Sequence, residues 1–423
     1  MRNRLLWGAA LLLLLFAAHA GADESSVDPS QMAVPPEMPQ VEVPVPGQGK
    51  RSIIPVPEVI TSPTEGVTGG MLGVVLFAKP DKSIHSIFAP DVRWNEITGF
   101  WPTLRYLGFP DPQQKFLLIG GKATKRGDFF EGEYSGEDLF AGALDLYGNA
   151  RRDQDPFERF FGFGNDSEDD DETNYTGTVH RLILSLGYNL APRIQTSLQA
   201  RWNHVRVGRG GVNSVENLRS SRFAAVKGVD GASIVAARFG ITYDSRDDSN
   251  IPTEGLFAAA SFEIADKVIG STHGFQRYGL EGKGFFPLRR DRRVIFALHG
   301  AIDYMGNGTS APFYERNTVG GIHSLRGYGR NRFTDLHRVV LQGELRNTVF
   351  QYDLFGVRAN IEVSPFVDLA KVFHNGDEFP LERLHPVGGV GFRGVVVPQV
   401  VAYVDVGTSG DSAAVFTGID YPF

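Results

Sequence analysis

The chain has 423 residues, a net charge of −7, 50 glycines, 11% aromatic residues and no cysteine. The lack of cysteine speaks against disulfides, thiolate-held metals and a lipid anchor on a mature N-terminal cysteine. A mildly acidic balance without a basic block argues against nucleic acid as a partner, and frequent glycine and aromatic residues favour many strands over helices.

Residues 1–22 read as an export signal. Arg2 and Arg4 open it, residues 5–16 are apolar, and Ala18, His19 and Ala20 supply an A-x-A cleavage pattern. That run is too short to cross a bilayer as a helix, and no later run approaches the roughly 18–20 residues a spanning helix needs. Residues 23–65 hold Pro29, Pro35, Pro36, Pro39, Pro44, Pro46, Pro55, Pro57 and Pro63 with no period of strand or helix. This composition predicts a disordered, proline-rich linker.

From residue 66 to 423 the pattern has a period of two. Leu182, Leu184, Leu186, Tyr188 and Leu190 oppose Arg181, Ser185, Gly187 and Asn189. Ile194, Leu198 and Trp202 oppose Gln195, Gln199, Arg201 and Asn203, and Phe239, Ile241 and Tyr243 oppose Arg238, Thr242 and Asp244. In the last segment Val415, Ile419, Tyr421 and Phe423 oppose Gly418 and Asp420. Strands with one apolar and one charged face also suit a soluble sandwich. Length decides: these segments run about ten residues, the span of a tilted membrane strand, against about five or six in ordinary sheets. The pattern predicts 16 strands, near 67–78, 95–107, 115–126, 128–136, 139–151, 175–190, 193–207, 232–245, 255–266, 274–287, 293–304, 338–349, 356–373, 386–395, 399–408 and 414–423. Short turns near 189–193, 287–292, 351–354 and 396–398 alternate with long connections at 152–174, 208–231 and 305–337. The expected fold is all-β: a 16-stranded antiparallel transmembrane β-barrel with lipid outside and a hydrated lumen inside. Tyr188, Trp202, Tyr243, Tyr304 and Tyr421 fall near strand ends, where an interfacial aromatic girdle belongs.

One loop carries the sharpest signal. Gly320 and Gly321, followed by Leu325, Arg326, Gly327 and Tyr328, lie in the long connection 305–337. A loop arginine is ordinarily solvated. Glycines on both sides, however, let the backbone fold tightly, and the rigid guanidinium fork suits inward carboxylates. Glu344 and Asp368 stand on the charged parity of the next two strands.

These residues resemble the barrel domain of the BamA/TamA-like outer-membrane assembly superfamily, the bacterial surface antigens, over about 66–423. Leu325, Arg326, Gly327 and Tyr328 are similar to that family's VRGF/Y motif, with Leu in place of Val. Tyr243, Asp244, Ser245, Arg246 and Asp247 with Pro252, Thr253, Glu254 and Gly255 resemble a family turn. Phe160 to Asn165 with Asn174 and Tyr175 resemble a family loop. Tyr421 and Phe423 resemble the terminal signal of barrel precursors. The resemblance implies a loop folded into the lumen, Arg326 paired with Glu344 and Asp368, and no cofactor. It also implies a role in inserting or translocating proteins by sideways opening between the first strand (67–78, with Gly69, Gly70 and Gly73) and the last (415–423, with Pro422). Expected partners are outer-membrane lipids, nascent outer-membrane or secreted proteins, and the barrel assembly machinery for the chain's own insertion. Residues 23–65 are too short and proline-rich for the family's periplasmic POTRA modules, which points to a barrel-only member. The alternative is a passive pore or structural surface barrel.

Other motifs carry less. Gly389, Gly391 and Gly394 spell GxGxxG inside a strand pattern, where no helix follows to bind a nucleotide, so packing glycines are expected. The acidic run 166–172 has oxygen ligands for Ca²⁺ but lacks EF-hand spacing, and reads as a surface loop. The histidines form no metal motif and no G-x-S-x-G elbow is present, so no enzyme is expected.

Overall fold

The computed structural model describes residues 53–78, 84–111, 113–354, 357–376, 381–396, 400–410, 413–419 and 421–423. The export signal and the linker up to residue 52 lie outside the described residues.

Segments of alternating character build one antiparallel sheet. Its first part is β1 Ile53–Ser62, β2 Gly66–Ala78, β3 Ile84–Phe88, β4 Asp91–Asn95, β5 Gly99–Asp111, β6 Gln114–Lys122, β7 Asp128–Asp138 and β8 Leu144–Phe160. Each pairs with the next, except that β3 and β4 share the lane between β2 and β5. The middle is β9 Thr173–Ala191, β10 Ile194–Arg209, β12 Ala232–Asp244, β13 Gly255–Ala265, β14 Phe275–Pro287 and β15 Val294–Gly306; a two-residue β11, Glu216–Asn217, lies parallel to the start of β9. The connection after β15 carries its own ribbon, β16 Asn317–Val319 with β17 Phe333–Asp335. β18 His337–Leu354, β19 Val357–Phe373, β20 His385–Val396, β21 Val400–Thr408 and β22 Ala413–Ile419 complete the sheet, which curls until β22 lies beside β1.

The described strands differ from the expected sixteen at the N-terminal end. The sheet holds twenty strands; with β11 set aside and β3 and β4 taken as one lane, eighteen lanes are described. β1 lies inside the stretch that reads as linker. Its Pro55 and Pro57 obscure the alternation, but an edge strand tolerates proline. The other added lane is broken at Ala89 and Pro90, and each five-residue piece is too short to mark a membrane strand by itself. The sheet also begins the next lane at Gly99 rather than near 95.

The two faces of the sheet are inverted relative to a water-soluble protein. Leu184, Leu198, Leu280 and Phe239 are 57%, 60%, 60% and 51% exposed on the outside, while Arg201, Arg238, Glu263, Arg277, Glu281 and Asp303 are buried on the inside. A wall with this polarity is at equilibrium only with hydrocarbon around it, and closure pairs the backbone groups that hydrocarbon cannot. No helix among the described residues is long and apolar enough to cross a membrane. Tyr188, Tyr243 and Tyr304 point outward near the strand ends, whereas Trp202 points outward from the middle of β10 and does not belong to an end girdle. Tyr421 does not point outward: β22 stops at Ile419, and Tyr421 and Phe423 are buried.

Short turns gather at one end. There Asp247 accepts from the backbone of Thr253 at 2.8 Å and of Glu254 at 3.0 Å, and Arg292 of the next turn reaches it at 2.8 Å. Partial burial pushes the Asp247 carboxyl upward, but these bonds and the Thr253 hydroxyl outweigh it and hold the group below its ordinary value. Long connections gather at the other end and pack into a cap. Phe160, Tyr175, Val207, Leu218, Val229 and Phe313 form its apolar centre. The acidic run is bound into it: Arg332 reaches Asp169 at 2.7 Å, Arg383 reaches Asp166 at 3.2 Å, Arg159 reaches Glu172 at 2.8 Å, and Arg222 pairs with Asp171.

The inverted polarity sets an expectation for Leu184→Lys. Placing an ammonium on the lipid face near mid-depth should lower stability by about 2–4 kcal/mol. Urea unfolding of the protein in lipid vesicles measures this, and a change within error would place Leu184 away from lipid.

Candidate functional site: an arginine clasp on the inner face

The connection between β15 and β18 turns back inside the barrel. Gly320 and Gly321 adopt φ of 122° and 90°, a region open to glycine at little cost. The turn is knotted by Gly321 N–H to Tyr328 O at 3.0 Å, Leu325 N–H to Gly321 O at 3.1 Å and Gly320 N–H to Ser324 Oγ at 2.9 Å. Leu325 is buried with Val319, Phe333, Val340, Phe366, Ala370, Val372 and Val387, and Tyr328 packs against the same cluster. At Gly407 of β21, a Cβ would collide with the carbonyl of Arg326. The strand thus has the room that the loop occupies.

Arg326 is 0% exposed. Its Nε and Nη2 bind the two oxygens of Asp368 at 2.8 and 2.7 Å, and its backbone N–H binds Asp368 at 3.1 Å. Nη1 reaches Glu344 at 2.8 Å and Asp405 at 3.0 Å. The structure therefore brings Arg326 to both carboxylates named from the sequence and to a third. Two more guanidinium groups complete the set. Arg393 lies 2.9 Å from Glu344 and 3.1 Å from Asp405, and Arg346 lies 3.1 Å from Glu344. Three cations face three anions, every one at most 1% exposed. Matching matters because an ion taken out of water costs several kcal/mol unless partners and hydrogen bonds replace its hydration. The fourth side of Arg326 is a ring: its guanidinium carbon lies 3.5 Å from the centre of Phe366.

The last residues of the sequence join this belt. Tyr421 donates to Glu362 at 2.9 Å, and Arg346 stacks on the Tyr421 ring at 3.5 Å. Arg346 also donates to the Phe423 backbone oxygen at 3.0 Å, and His299 stacks on the Phe423 ring. His323 at the loop tip lies 3.0 Å from Pro422 O, while Ile322 packs on Ala414 and Phe416 of β22. The loop thus touches β18, β19, β21 and β22.

A family model described as the Omp85 superfamily domain matches residues 128–390. The chain belongs to the Omp85 superfamily. Among solved structures it is similar to BamA from Haemophilus ducreyi lacking POTRA domains 1–3. That match is 15% identical, covers 88% of this chain and 75% of that one, and has a TM-score of 0.54. Weaker matches are CdiB from Escherichia coli, 12% identical over 89% and 68% of the two chains with a TM-score of 0.46, and OccD3 (OpdP) from Pseudomonas aeruginosa, 10% identical over 88% and 90% with a TM-score of 0.36. The BamA match establishes the barrel fold and nothing finer.

Within this Omp85 barrel, Asp405, Arg346 and Arg393 are the clasp residues that loop-centred sequence reasoning does not select. A signal exists for two of them. Asp405 is a lone acid between Val404 and Val406, and Arg393 sits in the glycine run Gly391, Phe392, Arg393, Gly394. Those glycines are packing sites: a Cβ at Gly391 would press on Asp405 and Arg393, and one at Gly389 on the Phe366 ring.

Arg326→Ala leaves buried Asp368 without its cation and takes one of the partners from Glu344 and Asp405, and should cost about 3–5 kcal/mol. The check is the temperature at which the folded barrel loses its fast mobility on semi-native gels. Arg326→Lys should recover little of the loss, because a point charge does not replace a bidentate fork. Equal melting of all three proteins would remove the clasp as a structural element.

Proposed function

We propose that this Omp85 barrel acts mechanically at a bacterial outer membrane, helping to insert or translocate other proteins, without a cofactor. The moving part is the seam between β1 and β22. One observation carries this reading: among the described residues no backbone ladder joins those strands. The Thr417 hydroxyl bridges them instead, accepting from Thr61 N–H at 3.1 Å and reaching Val59 O at 3.4 Å.

The chemistry of β1 supports a weak seam. Thr61 and Val59 turn their backbone groups toward β22. Gly73, opposite Pro55, donates away from β1 to Pro90 O at 2.8 Å. Odd-numbered positions of β1 therefore offer their backbone to the seam, and two of them, Pro55 and Pro57, have no N–H to offer. The seam strand is β1 and not 67–78, whose glycines lie in a lane paired on both sides. Pro422 lies beyond β22, beside His323. An edge with missing donors opens at low cost and exposes acceptors to an incoming strand, a form of β-augmentation. Membrane lipids and nascent outer-membrane or secreted proteins are the partners this implies, and the chain's own insertion would use the barrel assembly machinery.

A passive pore or structural surface barrel is the second reading. The inward loop, the clasp and the cap fill much of the interior, which favours the first. Planar-bilayer recording separates them: large, stable channels would favour the pore.

The direct test is a cysteine lock, unambiguous because the chain has no cysteine. Val59→Cys with Thr417→Cys should oxidise across the seam. In a deletion strain whose outer-membrane protein inventory has changed, the oxidised lock should fail to restore that inventory, and reductant should rescue it. Full restoration by the locked protein would rule out seam opening.

A further inference from the structure

Between the clasp and the cap lies a second polar region, a cavity of about 130 Å³. Inner faces of β8, β9, β10, β13 and β14 line it, with Tyr314, Glu315 and Arg316 from the connection above. Its charges do not cancel as those of the clasp do. Glu263 is committed to Arg201 at 2.9 Å and Arg277 at 2.8 Å, and Glu315 holds Arg201 through both oxygens at 3.0 and 3.1 Å. Glu158 faces Arg330 at 3.7 Å. Arg159 and Arg338, also on the wall, are matched by Glu172 at 2.8 Å and Asp303 at 2.7 Å. Arg181 lines the cavity without an ion pair among the described residues; Glu315 and Glu131 act on its charge only from farther off, against Arg151 and Arg201. The nearest acid to Arg316 is Asp335 at 4.0 Å.

Idle donors also line this cavity, as they do the clasp at Arg346 Nη1 and at Arg393 Nε and Nη1. The Tyr314 hydroxyl and the Nε atoms of Arg316 and Arg277 are buried on this wall without a hydrogen-bond partner. All of them can donate, and the two nitrogens can only donate. A cavity with an unmatched guanidinium and several idle donors is complementary to negative charge. We propose that it binds a compact oxyanion, of phosphate or carboxylate size, with Arg181 as the principal cation and Tyr314 and Arg316 as flanking donors. The volume agrees: at about 30 Å³ per water the space equals roughly four waters, enough for one such ion. The ion comes from solution and not from a lipid headgroup, because the lining belongs to the inner parity of the strands, away from the outward apolar band.

Inorganic phosphate is the first probe and acetate the second, each exchanged for chloride at constant ionic strength with the purified full-length protein in lipid-free detergent. Phosphate should raise the thermal unfolding midpoint along a saturating curve, as a ligand of the folded state does. Arg181→Gln should abolish the saturable rise while leaving the midpoint in chloride equal or higher, since it removes an unmatched charge. Tyr314→Phe should weaken phosphate binding about tenfold, the loss of one hydrogen bond to an anion, and stands as the test if the arginine variant does not fold. Acetate raising the midpoint where phosphate does not would assign the site to carboxylates. No saturable response to either anion, or an unchanged phosphate response in the variants, would overturn the proposal.

Discussion

The cost of holding a bare guanidinium away from water shapes this molecule. Arg326 is tolerated at zero exposure because Asp368, Glu344 and Asp405 replace its hydration almost donor for donor. Those acids are in turn bearable only because Arg346 and Arg393 share them. Remove any one member and the rest carry uncompensated charge. Such a closed set is over-determined, and it fixes where the inward loop sits. Since the loop also touches β22 through Ile322 and His323, the last strands are braced from within.

Bracing from one side sharpens the contrast at the barrel's joint. β22 is held by β21 and by the loop, whereas toward β1 it has a hydroxyl-mediated contact. β1 is laddered to β2 along its whole length. In the proposed opening motion, strain would concentrate at the β1–β22 pair, which among the described residues has no backbone ladder. Two prolines keep that pair weak without disturbing the β1–β2 ladder, because their missing N–H groups fall on the other edge.

Much of this was legible in the residues. Leu182, Leu184, Leu186, Tyr188 and Leu190 hold one parity, with Ile183 the one large apolar side chain on the other, and the structure turns the five outward. Period two survives wherever one face meets lipid and the other meets charge. It fails where that contrast is absent: β1 mixes proline with glutamate, and β3 and β4 are each too short to establish a period. Arg326 was conspicuous because glycines surround it. Asp405 was hidden by its setting in a valine-rich strand, although a single acid there has no business facing lipid. Tyr421 and Phe423 misled because parity was carried past the point where the strand ends. Nothing local marks Ile419 as the last ladder residue; Arg346, Glu362 and His299, far away in sequence, draw the tail inward.

The interior is occupied at two levels, and this bears on how a client would pass under the proposed function. At the cap, arginines from four different segments neutralise the acidic run; in the belt, three more are locked to three acids. A route through the centre would then have to displace the cap, whose ion pairs are largely exposed, and also break the belt, leaving its buried ions without partners. A route through the wall would part strands that the Thr417 hydroxyl bridges, and the exposed backbone groups of β1 and β22 could be satisfied again by the client strand itself. Under the proposed function the wall is the easier passage on energetic grounds, because the belt ions keep their partners when β1 and β22 part.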